Sequence, residues 1–240
     1  MNIEKELMVT LLSDVINNKT SEEKQAALLT LGKLPLTNTN KVFYRLLQQM
    51  ASGKLSPDIH LELAEAIDST RSPELSERYN QIAKKLSPDT LMAAYAGSLF
   101  GGDPEAGRRI FFRNENAQCL RCHSYDDLGG NAGPRLNGVG ARLTRQLILE
   151  SVINPSARLA PGFGVVILEL KDGKKISGYL ESENASGITL KIGEHKETFA
   201  KDQVVKRTNA ASSMPDMKAL LTKKQIRDVV SFLTGLKEVK

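Results

Sequence analysis

The sequence has no tryptophan and only two cysteines among its 240 residues, and aromatic residues make up 5% of it. Two cysteines are too few for the disulfide-rich scaffold of a small secreted domain. No apolar stretch approaches the roughly 20 residues that a membrane-spanning helix needs, so we expect no transmembrane segment. The scarcity of aromatic residues and the scattered placement of the basic ones argue against a nucleic-acid-binding protein.

The charge of the chain is unevenly placed. Residues 1–98 contain 11 basic and 12 acidic residues, whereas residues 99–240 contain 22 and 16. The overall balance of 40% hydrophobic and 25% charged residues favours folded domains over disorder. The positive excess therefore belongs to the second part, where it suits an anionic ligand or an acidic protein partner.

Residues 2–98 have the pattern of several short helices. Apolar residues recur every four positions from Ile3 to Val15, which predicts one amphipathic helix. Thr20 and Glu23 have the spacing of a capping box at the start of a second helix. We predict a helical domain over 1–98, either HEAT-like repeats or an ordinary helical domain. Further helix starts are predicted where serine can cap and proline fits the first helical position, at Ser56-Pro57, Ser72-Pro73 and Ser87-Pro88.

Residues 163–208 have instead the alternation of short β-strands. Two alternating runs flank Asp172-Gly173, which predicts a hairpin with a type I′ turn, in which both central residues have positive φ. The segments ITLKI, ETFA and QVVKR continue the pattern. We predict five strands in a small antiparallel sheet or barrel, between helices at 143–153 and 222–237.

The two cysteines stand in the sequence Cys119-Leu120-Arg121-Cys122-His123, a CxxCH motif. Two thiols at this spacing can add to the two vinyl groups of a heme, and the adjacent histidine can then ligate the iron. A zinc site is disfavoured because it needs four ligands and the chain has no second cysteine pair. A thioredoxin-like dithiol is disfavoured because it requires a strand-to-helix junction. Here a short helix precedes the motif and a glycine-rich loop follows it.

Several separated motifs add a family resemblance to this interpretation. Residues 103–236 resemble a class I c-type cytochrome domain. More narrowly, they resemble the heme-binding modules at the C-terminus of large secreted bacterial dehydrogenase-like proteins, which helical-repeat segments often precede. The matching residues are Gly107, Ile110 and Phe111 in the first helix, the CxxCH motif, Gly133-Pro134-x-Leu136-x-Gly138, Asn154-Pro155-Ser156 to Ala160-Pro161-Gly162, Met214-Pro215, and residues 228–233 in the last helix. Phe232 stands where the family often has tyrosine.

The resemblance implies roles for individual residues. Cys119 and Cys122 attach one heme c covalently, and His123 is the proximal iron ligand. The Pro134 carbonyl accepts a hydrogen bond from the imidazole, and Leu136 packs on the heme face. Met214 is expected to be the sixth ligand, in preference to Met217. Nearby arginines either bind the heme propionates or remain solvated surface charges: Arg135, Arg142, Arg145 and Arg158.

The expected fold is mainly α, with a helical lead-in over 1–98 and a cytochrome c domain over 99–240 that carries a β subdomain inserted at 163–208. The expected function is single-electron transfer and not enzymatic catalysis, with a redox partner protein or an upstream dehydrogenase domain as electron donor. Two alternatives stay open: an interaction scaffold with a secondary redox role, and a heme-free CxxC dithiol protein.

The N-terminal residues lack the pattern of a secretory signal. Two acidic residues occur by position 6, and no uninterrupted apolar segment follows them. Because c-type heme is attached outside the cytoplasm, the resemblance implies a periplasmic or otherwise extracytoplasmic location. We therefore expect the chain to be a fragment of a longer, exported protein.

Overall fold

The computed structural model describes residues 3–86 and 89–238, and it confirms a mixed α/β chain in which a small antiparallel sheet accompanies the helices. By internal contacts the chain divides into two compact units, residues 1–107 with 222–232 and residues 108–221 with 233–240. The predicted domains over 1–98 and 99–240 stay predictions, since contacts alone do not show which segments fold independently. No helix in the described ranges is both long and apolar enough to span a membrane.

The first unit is helical. Its core is made of apolar side chains from successive helices, among them Leu28, Phe43 and Leu63, each of which is completely buried. The helices that begin in this unit are α1 (Ile3–Asn18), α2 (Ser21–Leu31), α3 (Leu36–Ala51), α4 (His60–Thr70), α5 (Pro73–Leu86), α6 (Thr90–Ala94) and α7 (Pro104–Arg113).

The helix starts of this unit agree with the sequence signals where they are described. The amide of Glu23 donates to the Thr20 hydroxyl, and the Glu23 carboxylate accepts from the Thr20 amide, so the capping box is confirmed. Helix α5 begins directly after Ser72, as predicted. The Ser56-Pro57 pair starts a single 3-10 turn that leads into α4. The Ser87-Pro88 start lies outside the described residues.

The last helix, α11 (Lys223–Gly235), belongs to the first unit as far as Phe232, where two close contacts hold it. A Cβ added to Gly107 would lie 1.9 Å from the Asp228 carbonyl oxygen, so only glycine permits this approach. Arg227 donates to both oxygens of Glu62 at 2.8 and 2.9 Å, and both side chains are almost fully buried. Such a pair costs desolvation, and losing one partner would leave a buried charge uncompensated.

The second unit begins at Arg108 and contains the cysteine segment, residues 119–124. Its first elements are α8 (Cys119–Cys122), the two-residue strands β1 (Ser124–Tyr125) and β2 (Leu128–Gly129), and the helices α9 (Val139–Arg142) and α10 (Arg145–Ile153). Helix α10 falls within the predicted helical stretch and starts with a cap, because the Thr144 hydroxyl accepts from the Leu147 amide.

Five antiparallel strands follow α10, and all five lie within the predicted β segment or extend it by one residue. They are β3 (Val165–Leu170), β4 (Lys175–Glu183), β5 (Gly187–Ile192), β6 (His195–Ala200) and β7 (Val204–Asn209), in the sheet order β6-β5-β4-β3-β7. Their inner face forms a separate small core with Val166, Leu168, Leu180 and Leu190.

The sheet is strongly curled. Strands β6 and β7 lie at opposite edges, yet a single 3-10 turn at Lys201–Gln203 joins them. Across a flat five-stranded sheet the edges are about 19 Å apart. The four Cα steps from Ala200 to Val204 reach at most about 14 Å, so the edges must bend toward each other as in a barrel.

The β3–β4 hairpin is confirmed, but its predicted type I′ turn is wrong. Gly173 has φ +85°, whereas Asp172 does not have positive φ. The Gly173 amide donates to the Leu170 carbonyl, and the Leu170 amide donates to the Lys174 carbonyl. This is a three-residue loop with a left-handed glycine at its end. The Asp172 carboxylate accepts from the Lys174 amide, which stabilises that alternative.

Candidate functional site

The two cysteines lie on one helical turn. Gln118, with φ +43°, reverses the chain before α8, and Cys119 and Cys122 are the first and last residues of that helix. The His123 amide donates to the Cys119 carbonyl at 2.9 Å, after which His123 becomes extended. Both cysteines are free and half-buried, so two thiols and an imidazole are held on adjacent backbone.

The His123 ring has a fixed tautomer. Its Nδ1 lies 2.8 Å from the Pro134 carbonyl oxygen, and because a carbonyl only accepts, Nδ1 must donate. In the neutral ring Nε2 then carries the lone pair, as metal ligation by Nε2 requires. Burial lowers the pKa of His123, and the hydrogen bond to Pro134 opposes this shift in part. The neutral, ligating form is therefore favoured.

The glycine-rich loop 129–138 is bonded to the cysteine segment by its backbone. Three loop amides donate to carbonyls of that segment: Gly130 to Leu120 at 2.8 Å, Gly133 to Cys122 at 2.8 Å and Leu136 to Ser124 at 2.9 Å. A Cβ on Gly133 would lie 2.8 Å from His123 Cε1 and 2.9 Å from Nδ1. The loop therefore needs glycine there, because the backbone packs directly on the imidazole.

The turn between β1 and β2 supports the same loop and was not predicted. Asp126 and Asp127 both have positive φ, 47° and 62°, which gives a type I′ turn without glycine. The buried Asn137 side chain accepts from the Asp126 amide and donates to its carboxylate. The residue that makes this turn possible lies eleven positions away, so a local pattern could not indicate it.

Two of the four candidate propionate-binding arginines are engaged in holding this loop. Arg135 donates to the Asn137 side chain at 3.0 Å, and Arg142 donates to the carbonyls of Asn137 and Arg135 at 2.5 and 3.1 Å. Arg158 lies 3.9 Å from the Glu150 carboxylate at the surface. Arg145 is half-buried, and burial lowers its pKa.

Met214 lies in a separate loop, between β7 and α11. It is half-buried, and its amide donates to the Ser212 hydroxyl at 3.1 Å. Met217 is 4% exposed and is the first residue of a 3-10 turn. Its carbonyl accepts a hydrogen bond from the Leu221 amide. Met217 therefore serves packing, whereas the Met214 side chain remains partly accessible. The structure thus brings together Cys119, Cys122, His123, Pro134 and Leu136, and it places Met214 on another segment.

Cys119 is poorly suited to be the attacking thiol in thiol–disulfide exchange. Burial raises the pKa of Cys119 to about 11, and the neighbouring Cys122 adds to the shift. Reactive CxxC motifs depend on a lowered thiol pKa, because the thiolate is the nucleophile. No cluster of three or more metal-ligating side chains is found in residues 3–86 and 89–238. The raised pKa of Cys119 disfavours the dithiol interpretation.

The residues present fit a covalently attached heme. The fixed tautomer of His123, the glycine backbone against its ring and two thiols on the preceding turn are the features that such a group needs. No family model matches the chain, and no curated protein matches its sequence.

Proposed function

We propose that the chain is a monoheme c-type cytochrome module that transfers single electrons. The observation that supports this most strongly is the state of His123, whose Nδ1 donates to the Pro134 carbonyl and whose Nε2 is left as a ligand atom. Gly133 packs against the same ring and restricts its rotation. The arrangement resembles a prepared proximal ligand more than a surface or core histidine.

Cys119 and Cys122 would each bind one vinyl group of the heme. In this addition the thiol sulfur bonds to one vinyl carbon and the thiol hydrogen passes to the other, so no oxidant or reductant is consumed. The half-buried position of both residues keeps the new thioethers close to the protein. Covalent attachment would retain the cofactor even where little apolar core surrounds it.

His123 and Met214 would be the two side chains that hold the heme iron. When bound, heme supplies one-electron chemistry, since its iron cycles between the ferric and ferrous states. If both side chains held the iron, no coordination position would be open to O2 or peroxide, which would favour electron transfer over catalysis. Leu136, half-buried and fixed through its amide, would shield one side of the group.

We propose the finer fold on the same grounds: HEAT-like helices over 1–98 and a cytochrome c fold over 99–240 with the β subdomain inserted. The capped helices of the first segment and the close approach of Gly107 to α11 support this assignment. The donor would be a redox partner protein or an upstream dehydrogenase domain. The location would be extracytoplasmic, because c-type heme attachment occurs there.

A redox titration of the heme-loaded chain tests this function. We expect a single one-electron transition, together with the ferric charge-transfer band of a thioether-ligated heme. Met214→Leu removes the thioether at similar volume, so the band should disappear completely and the potential should fall. Met217→Leu is the matched control and should leave both unchanged. A spectrum that is identical in the protein and in Met214→Leu would contradict methionine ligation.

A further inference from the structure

The inserted sheet leaves the main chain and returns to it at one place. Val166 on β3 pairs with Asn209 on β7, and the Ala210 amide donates to the Val165 carbonyl at 2.9 Å. The segment 165–209 is therefore an excursion with adjacent ends. The chain that emerges from its last strand runs directly into the loop that contains Met214.

Asn209, the last residue of β7, hydrogen-bonds the turn that follows α10. Its Nδ2 donates to the carbonyls of Ser156 and Ala157 at 2.8 and 3.0 Å. The orientation of the amide is unambiguous, because both partners are carbonyl oxygens and require a donor. The Asn209 Oδ1 is buried and has no hydrogen-bond partner among the described residues. The side chain thus keeps its two donated bonds while its own acceptor goes unused.

Ser156 continues the connection toward Met214. Its hydroxyl accepts from the Ser212 amide at 3.0 Å, and the Ser212 hydroxyl in turn accepts from the Met214 amide at 3.1 Å. The contacts of Asn209 and the Ser156 hydroxyl join residues 52 to 56 positions apart in sequence, whereas Ser212 and Met214 are two positions apart. We name Ser156, Asn209 and Ser212, with the four bonds just described, the root clasp.

We infer that the root clasp is a positioning device for the sixth heme ligand, so that the inserted sheet serves to hold the Met214 loop. This inference rests on the proposed cytochrome function. Residues 210–216 contain no helix or strand, and several are small. Such a loop loses conformational entropy on ordering, and that loss would otherwise weaken the bond from methionine to iron. The clasp restricts the loop before the ligand binds.

Asn209 differs from Asn184 in the direction of its side-chain hydrogen bonds. Asn209 acts as a donor, so Asn209→Asp removes both bonds and puts a carboxylate beside two carbonyls. Asn184, in the turn between β4 and β5, accepts from the amides of Ser186 and Gly187 through Oδ1. Asn184→Asp keeps those accepted bonds and is the matched control on the same sheet.

The experiment measures ligation in the heme-loaded chain. Imidazole competes with methionine for ferric iron, so its apparent affinity reports how firmly Met214 is held. We expect Asn209→Asp and Ser156→Ala each to raise imidazole affinity by about two- to tenfold, as expected for the loss of one or two hydrogen bonds. Both variants should also speed hydrogen exchange at the Ser212 and Met214 amides. Asn184→Asp should change neither the imidazole affinity nor the amide exchange. Ser156→Thr keeps the hydroxyl, so its imidazole affinity should equal that of the unsubstituted chain.

The outcomes separate this inference from the proposed function. If Met214→Leu abolishes the thioether band while Asn209→Asp and Ser156→Ala leave imidazole affinity and amide exchange unchanged, Met214 is the ligand and the clasp does not position it. If Met214→Leu itself changes nothing, the methionine ligation fails and the inference is overturned with it. A loss of stability without a change in imidazole affinity would show a purely structural role and would also overturn the inference.

Discussion

The cysteine segment and the Met214 loop are held in place by different kinds of contact. Around His123, the bonds described above join residues at most 12 positions apart, such as the 2.8 Å contact with the Pro134 carbonyl. The Met214 loop depends on Ser156 and Asn209, which the inserted sheet brings together from distant parts of the sequence. The proximal side of the proposed site, around His123, is therefore a local motif. The distal side, the Met214 loop, requires the tertiary fold.

The largest expected effect follows from truncating one buried side chain in the core of the sheet. Leu190 is completely buried, and Leu190→Ala should lower the free energy of unfolding by about 2–5 kcal/mol, because it leaves a cavity. If the two sides differ as described, the thioether band should weaken while covalent heme is retained. Urea unfolding and the absorption spectrum measure the two effects.

The matched control for this variant is Leu128→Ala. Leu128 is 57% exposed in the short hairpin beside the cysteine segment, so the change should be within about 0.5 kcal/mol. Equal losses of stability in Leu128→Ala and Leu190→Ala would contradict the assigned core of the sheet. Loss of covalent heme in Leu190→Ala would contradict the independence of the proximal side.

A smaller effect is expected from adding one methyl group against His123. In Gly133→Ala the new Cβ would lie 2.8 Å from the ring, and the overpacking should cost about 1–3 kcal/mol of unfolding free energy. The altered ring should shift the heme spectrum while amide exchange at Met214 stays unchanged. Gly235→Ala is the control, because a Cβ there meets no atom within 4 Å. Similar stability of the two variants would show that the ring can move away freely.

The smallest effect is the pH dependence of the heme-free chain. Burial lowers the pKa of His123 and His60 in the folded state below the ordinary value of 6.5. The unfolded chain therefore binds protons first as pH falls, so stability is fully present above pH 6.5 and declines below it. Urea unfolding between pH 8 and pH 5 should show this decline, and His123→Gln and His60→Gln should each flatten it.

Heme attachment sharpens the pH test. A histidine bound to iron no longer titrates over this range, whereas the methionine thioether has no proton to lose. The loaded chain should therefore keep only the part of the decline that His60→Gln removes. The pH profile of unfolding could instead be the same in the heme-loaded chain, the heme-free chain and His123→Gln. That result would show that the His123 imidazole is not the group that binds iron.

Much of the fold could be predicted from local signals. Thr20 and Glu23 gave a helix start, and the alternating runs around Asp172 gave the hairpin, because in both cases the responsible atoms lie within a few residues. The type of the turn could not be predicted, since the Asp172 side chain stabilises a different loop from the same dipeptide.

The candidate site divides in the same way. The CxxCH motif and the Pro134 loop are contiguous, and the hydrogen bond between His123 and Pro134 has the expected geometry. Asn209 acts through its side-chain amide on carbonyls 53 and 52 positions away, and Asn137 bonds a turn that contains no glycine, and no spacing rule exists for either contact. Polar side chains that satisfy distant backbone groups are therefore the part of the site that the sequence alone does not disclose.

The most direct test of the central claim is the intact mass of the chain after maturation in a host that exports it and attaches c-type heme. We predict a mass increase of one heme that survives acid-acetone extraction, and its complete loss when Cys119 and Cys122 are both replaced by serine. A chain that folds in that host but keeps its unmodified mass would contradict the assignment as a c-type cytochrome module.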